Sequence, residues 1–374
     1  MSERVLMVAT VPGMIGQFNM NNISILQKLG YVVDVATDFM DESVWPRERV
    51  EKLKKDLSNI GVECIQIDFS RKPFAIKRHI SAYRESLKLV RERDYSFIHT
   101  HTPIASAIMR LVAHKTRTKI IYTAHGFHFF SGAPFKNWLV FYPLEKFLSK
   151  YTDVLITINK EDYERAVARF SAKKNAYVPG IGVDVGKFQV RCNREEVRKG
   201  LGIPNDAKLL ISIGELSDRK NHKEVINALS KIDNDFYYII VGKGQLKEEL
   251  ESLIESKGLG DRVKLLGFRT DTSELLNASD IFVFPSLQEG LPVALMEAMA
   301  SGLPCVVSNI RGNVDLIDES NGKVVDNTEN AWAEALAKVE YLNLESLGKS
   351  AAEKVNAFDC GSVDKIMRDI YSNM

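Results

Sequence analysis

Two glutamates eight residues apart, Glu289 and Glu297, bracket the stretch EGLPVALME. Around the second the chain is apolar: Val293, Ala294, Leu295, Met296, Ala298 and Met299. Burying an unpaired charge is costly, so a carboxylate there calls for a partner that the local chain does not supply. Pro292 reads as the first residue of a helix, where a missing N–H costs nothing. The backbone N–H groups of Gly290, Leu291, Val293 and Ala294 then converge at the positive end of the helix dipole, a seat suited to a diphosphate. Gly290 lets the backbone approach closely. Glu297 falls five residues into the helix, about 7–8 Å along its axis. One carboxylate thus stands before the phosphate seat and one beyond it. That order matches sugar, diphosphate and ribose in a nucleoside diphosphate sugar, and carboxylates accept well from paired hydroxyls. The plainer alternative makes Glu289 a helix-start charge and Glu297 part of a solvated face, which its apolar neighbours oppose.

These residues need strands and helices to hold them. In the first half RVLMVAT, YVVDVAT, VECIQID, FIHTH, KIIYTAHG and VLITIN are short β-branched runs of buried-strand type, with helical patterns between them. The alternation restarts with KLLISIG, FYYIIVG, VKLLGF, IFVFPS, PCVVSN and GKVVD. Such alternation predicts an α/β protein of two Rossmann-like domains, each a doubly wound parallel sheet, facing a cleft. The boundary is expected in VPGIGVDVGKF, giving domains 1–185 and 186–358, with a last helix at about 359–374 crossing back to the first. Ligands bind beyond the carboxyl ends of strands in open parallel sheets. Asp233-Asn234-Asp235 reads as a metal-binding DxD, but it precedes the strand FYYIIVG and is rejected as a metal site.

The 374 residues carry a net charge of +1. Residues 1–187 hold 28 Lys and Arg against 19 Asp and Glu, whereas the remainder holds 22 against 30. The halves are therefore expected to face different partners. No apolar run approaches the ~20 residues needed to span a bilayer, and the start lacks the pattern of a secretory signal. The four cysteines, Cys64, Cys192, Cys305 and Cys360, sit in no metal-like pair. A cytoplasmic setting is expected. A nicotinamide dehydrogenase is disfavoured because the first strand is not followed by G-x-G-x-x-G. Nothing points to nucleic acid.

The E-x7-E arrangement with GLP after its first glutamate resembles the retaining glycosyltransferases of family 4, which have the GT-B fold. The resemblance extends to ISIGELSDRKN, IIVGKGQLKEEL, VKLLGFR, ASDIFVFPS and YVPGIGVDVGKF. HTHTPIASAIMRL, YTAHGFHFF and VLITINKEDY are similar to the branch found in bacterial capsule and exopolysaccharide assembly. It implies that Glu289 contacts the donor sugar, Glu297 the ribose and Lys220 the diphosphate. Glu289, Lys220 and His125 become the catalytic candidates, with His125 beside the donor sugar and phosphate. Arg219, Gly267, Phe268, Arg269, Gly290, Leu291, Val293 and Glu297 become donor-binding candidates. The segment Gly267–Arg269 resembles the one whose backbone reads the nucleobase. Where the family often has arginine this chain has Glu215, and Arg219 is the candidate replacement. Gly242 and Gly244 fit a turn equally well. Gly13 and Gly16 are expected in the first strand-to-helix loop, on the acceptor side.

The resemblance also implies no metal and no cofactor besides the nucleotide-sugar donor, which by family is a uridine diphosphate sugar. Acceptors of this branch are polyprenyl-diphosphate-linked sugars. Arg71–Arg93, with eight basic and two acidic residues, and Phe127–Lys150, mixing aromatics with lysines, are candidate contacts for an anionic membrane surface. The alternative is that the stripe Ile80, Tyr83, Leu87 and Val90 faces the core. His99 and His101 are expected on opposite faces of their strand. The rival functions are a GT-B nucleotide-sugar epimerase and a non-catalytic nucleotide-sugar-binding protein.

Overall fold

The computed structural model describes residues 3–43, 45–189, 192–233, 235–339 and 342–374. The chain divides into two compact units, Met1–Ile181 with Val363–Met374, and Gly182–Ser362.

Among the described residues the first unit contains a seven-stranded sheet: β1 (Arg4–Val8), β2 (Val32–Thr37), β3 (Glu63–Gln66), β4 (Phe97–His101), β5 (Lys119–Ala124), β6 (Val154–Thr157) and β7 (Lys174–Tyr177). Their order is 3-2-1-4-5-6-7, and every pairing is parallel. The central strands β1, β4 and β5 are buried along almost their whole length, because helices cover both faces, as parallel sheets require. The second unit repeats the plan with six strands: β8 (Lys208–Ile213), β9 (Phe236–Val241), β10 (Val263–Gly267), β11 (Ile281–Phe284), β12 (Cys305–Ser308) and β13 (Gly322–Val325), in the order 10-9-8-11-12-13. In each sheet the order reverses beside the first strand, at β1/β4 and β8/β11. This is the topological switch point where such sheets hold ligands.

The last helix, Cys360–Ser372, packs into the first unit. Its buried residues Val363, Met367, Ile370 and Tyr371 recur at helical spacing and join the cluster built on Val5, Met7, Val33 and Val35. Burial of each is worth about 1.5–3 kcal/mol. Tyr371 also bonds His99 Nδ1 at 2.8 Å.

Three expectations need correction. Gly13 and Gly16 lie in the helix Pro12–Phe18, not in a loop. A Cβ at Gly16 would collide with the Trp45 ring, so its small size serves packing. Proline at the first turn starts a helix with three residues between it and β1, and two glycines do not prevent it. Pro292 is the residue flanking its helix, not the first within it. His99 and His101 share a face, with ring centroids 4.2 Å apart. Two residues is one full period of a strand, so they could not have pointed apart.

The stripe on the helix Ile76–Arg93 faces inward: Val90 is buried, and Tyr83 and Leu87 pack against the core, while Ile80 is exposed. The helix Phe135–Ser149 differs, with Phe135, Leu139, Val140, Leu144 and Phe147 all exposed. Lys136, Lys146 and Lys150 are exposed alongside them. Among the described residues no helix is long and apolar enough to cross a membrane.

Candidate functional site

The Glu289 loop follows β11 and leads into the helix Val293–Ala300. Glu289 is buried, with its Oε1 2.7 Å from Lys220 Nζ and 3.0 Å from Arg219 Nη1. Lys220 is buried as well, and its ammonium lies over the Phe284 ring at 4.4 Å. Burial lowers the Lys220 pKa, and Glu289 opposes that shift by favouring the charged form. The two chain segments are also joined through backbone, Leu287 N–H donating to Arg219 O at 2.8 Å. Arg219 donates to the carbonyl of Gln288 too and remains half-exposed. Glu215 is exposed, and its influence on Lys220 comes last, after those of Glu289 and Arg219.

The helix tip beyond Glu289 has no side-chain cap. Gly290, Leu291, Val293 and Ala294 make no backbone N–H bond outside regular elements. Val293 and Ala294 are half-buried, so donors of the first turn can reach a ligand. Glu297 is half-buried, with no side-chain hydrogen bond among the described residues. Burial raises its carboxyl to about 7, moderated by the Lys187 charge. The order of features is therefore a carboxylate holding two cations, an uncapped helix tip, and a second carboxyl lacking a polar partner. Such a surface can bind an anion between two sets of hydroxyl donors.

Neighbouring loops at the carboxyl ends of the strands form a continuous edge with it. Gly267, after a bulge in β10, accepts from Gly242 N–H at 2.8 Å. Gly242 has φ of +152°, and a Cβ there would be driven into the Gly214 carbonyl. Gly214 in turn packs on the Lys220 side chain. On the other side, Gly312 (φ +79°) lies so close to the Gly290 carbonyl that no larger residue fits. Phe268 is exposed. Arg269 is tied to Asp271, Nε to Oδ1 at 2.8 Å, with a second contact from its Nη2. Its guanidinium is thus engaged locally.

The loop is braced by residues from further along the chain. Arg311 Nε donates to the Glu289 carbonyl at 3.2 Å. Asn327 Nδ2 reaches the carbonyls of Pro285 and Ser286 at 2.9 and 3.1 Å, and Ser308 Oγ donates to Ser286 O at 2.5 Å. Asn327 lies 38 residues from Glu289 and carries no local signal of this role. Asp233 and Asp235 precede β9 at its amino end, away from this edge; Asn234 lies outside the described residues.

In the first unit His125 follows β5 and is half-buried. Its Nε2 is 3.1 Å from His101 Nδ1, and its ring is 6.2 Å from that of Phe18. Burial lowers its pKa to about 4.

Comparison with known proteins now adds to this geometry. Residues 21–187 match the family described as Glycosyltransferase Family 4, and residues 193–354 match Glycosyl transferases group 1. The chain is 30% identical over 385 residues to EpsD of Bacillus subtilis (strain 168), named as a glycosyltransferase, covering 100% of this chain and 97% of that protein. It is 34% identical over 316 residues to an Escherichia coli protein named UDP-Gal:alpha-D-GlcNAc-diphosphoundecaprenol alpha-1,3-galactosyltransferase, covering 80% of each. Among solved structures, Anabaena HepE in complex with UDP and glucose superposes with a TM-score of 0.78 at 20% identity over all of both chains. WaaG, a glycosyltransferase involved in lipopolysaccharide biosynthesis, gives 0.73 at 18% identity over 99% of this chain and 100% of that one. The fold is GT-B, and the chain belongs to glycosyltransferase family 4.

Proposed function

We propose that this protein transfers a sugar from a uridine diphosphate sugar to a polyprenyl-diphosphate-linked sugar in the synthesis of a cell-surface polysaccharide, with retention of anomeric configuration and without a metal ion. The observation that carries the reading is the uncapped helix tip between Glu289, with its two cations, and the unpartnered Glu297. The Escherichia coli relative's name supports the donor and lipid-linked acceptor. UDP in HepE agrees with the nucleotide.

The donor diphosphate would sit on the N–H groups of Gly290, Leu291, Val293 and Ala294. Negative charge develops there as the sugar–phosphate bond breaks. Preorganised donors and a buried ammonium stabilise it without reorganisation. Lys220 is already held in place by Glu289 and Phe284. Arg219, half-exposed, can turn from Glu289 to the phosphate and supply the cation that Glu215 does not. Glu289 would then accept from the sugar hydroxyls and face an oxocarbenium-like carbon. Glu297 would accept from the ribose, and the backbone of Gly267, Phe268 and Arg269 would meet the base. His125 would hydrogen-bond the donor sugar. Gly13 and Gly16 remain acceptor-side candidates only as parts of their helix. The exposed apolar face and lysines of the helix Phe135–Ser149 would rest on an anionic membrane, where a lipid-linked acceptor is found.

The test is release of nucleotide from a panel of nucleotide sugars. It is run with and without undecaprenyl-diphosphate-linked N-acetylglucosamine in anionic vesicles, and the new linkage is read by NMR. Acceptor-dependent release from a uridine diphosphate sugar, giving a product with the donor's anomeric configuration, is expected. Epimerised free donor or no turnover with any donor would overturn the reading.

A further inference from the structure

β4 and β5 pair with His101 opposite Thr123, so His125, just past the end of β5, comes within reach of His101. His101 is wholly buried, and its Nδ1 faces His125 Nε2 at 3.1 Å. Its other ring nitrogen, Nε2, is buried with no hydrogen-bond partner. His101 lines a small cavity of about 30 Å³ together with Asn22, Thr123 and His125. Behind it, His99 is fully engaged: Nδ1 with Tyr371 Oη and Nε2 with Thr123 Oγ1, each at 2.8 Å.

Burial keeps all three rings neutral near pH 7. It lowers His99 to about 3 and His125 to about 4, and holds His101 well below the usual histidine range. Each neutral ring carries one N–H, so a single proton lies between His101 Nδ1 and His125 Nε2. If His125 owned it, the His101 proton would sit on Nε2, a buried donor without an acceptor. If His101 owns it, Nε2 is a bare lone pair and no buried N–H is left over. Orphaned buried N–H groups are the rarer outcome in folded proteins.

We propose that His101 is the positioning residue of His125: it donates from Nδ1 to His125 Nε2, fixing His125 as the Nδ1–H tautomer and leaving that N–H to meet the substrate. For its functional meaning the proposal rests on the donor-sugar role of His125 given above; the geometry stands by itself. A second feature holds the His101 ring in place. The next residue, Thr102, is β-branched yet has φ of +68°. Such a conformation persists only where its surroundings enforce it. Thr10 does so here, with hydroxyls 2.7 Å apart and the Thr10 N–H 3.0 Å from Thr102 Oγ1, while that hydroxyl also meets the His101 carbonyl.

The titratable groups facing the pair are few. They are His99 on β4 and Tyr371 on the Cys360–Ser372 helix. Asp364 of that helix is engaged by Asn21. The other cavity walls are apolar or backbone, from Ile156, Ile158, Val178, Gly180, Val363 and Met367.

The experiment is long-range 1H–15N correlation of the full chain labelled at histidine, between pH 5 and 8, on wild type, His101→Asn and His101→Leu. Wild type is expected to show His125 as Nδ1–H throughout. His101→Asn, whose amide reaches the Nδ1 position, should preserve that state. His101→Leu should release His125 to Nε2–H. In the turnover assay on uridine diphosphate sugars, His101→Leu should lower kcat about tenfold with KM little changed, and His101→Asn should restore it. An Nε2–H His125 in wild type overturns the proposal. So does a folded His101→Leu protein with unchanged tautomer and kcat. If His101→Leu does not fold, the wild-type tautomer decides alone. Absence of turnover with every donor would count against the glycosyltransferase reading and leave the tautomer result intact.

Discussion

Replacing Glu297 with glutamine tests the second carboxyl directly. Its pKa is raised from 4.5 to about 7, chiefly by burial. An acid whose folded pKa is raised favours folding below its unfolded pKa and loses that contribution as pH rises through the folded value. At about 1.4 kcal/mol per unit, ionised Glu297 should cost the unliganded protein roughly 3 kcal/mol at pH 8 and almost nothing at pH 4. Glutamine cannot ionise. The Glu297→Gln protein should therefore gain on wild type by up to that amount as pH rises from 4.5 to 8. Because the buried amide carries its own desolvation cost, the difference in slope is the quantity to read, by urea unfolding at half-unit steps. Ribose hydroxyls would donate to the ionised form, so UDP binding to wild type at pH 7 should release about half a proton, seen by calorimetry in buffers of different ionisation enthalpy. The variant should release about half a proton less than wild type and bind UDP more weakly. Parallel stability profiles for the two proteins, with equal UDP affinity, would refute the argument that this carboxyl waits for a partner.

Lys220→Ala should lower kcat about 100-fold in the turnover assay, the scale expected when a preorganised donor to developing charge is removed. Gly312→Ala combines a positive φ with a clash at the Gly290 carbonyl; it should destabilise by more than about 1 kcal/mol in urea unfolding and weaken UDP binding. Tyr371→Phe takes a buried hydroxyl from His99 and should cost about 1–2 kcal/mol by the same measurement. Phe135→Ser with Leu139→Ser, at positions 79% and 67% exposed, should abolish sedimentation with anionic vesicles while changing stability by less than about 1 kcal/mol.

Much of this architecture was legible because parallel strands buried on both faces leave a plain trace. The runs RVLMVAT, KIIYTAHG, KLLISIG and IFVFPS all contain strands, and loops after them carry Glu289, Lys220 and His125. Proximity across the chain was not legible. Nothing in the spacing shows that Lys220 and Arg219 converge on one oxygen of Glu289, or that Arg311 and Asn327 support that loop. Nor did composition separate the two helices offered as membrane contacts. Tyr83 and Leu87 turn inward, whereas Phe135 and Leu139 turn outward, a choice made by what packs above each helix. Arg269 looked available in sequence, but Asp271, two residues on, occupies its guanidinium.

The last helix has a consequence for how the molecule is made. Val363, Met367, Ile370 and Tyr371 complete the interior of the unit to which residues up to Ile181 belong. The second unit is thus an insertion within the first. During synthesis the strands β1–β7 emerge early, yet must wait for some 180 further residues, about 10–40 s at ordinary elongation rates, before their hydrophobic interior is closed. Gly182–Ser362 has every segment it needs in hand sooner. The half that leaves the ribosome first is therefore the last to be finished, and the half most in need of chaperone protection while it waits.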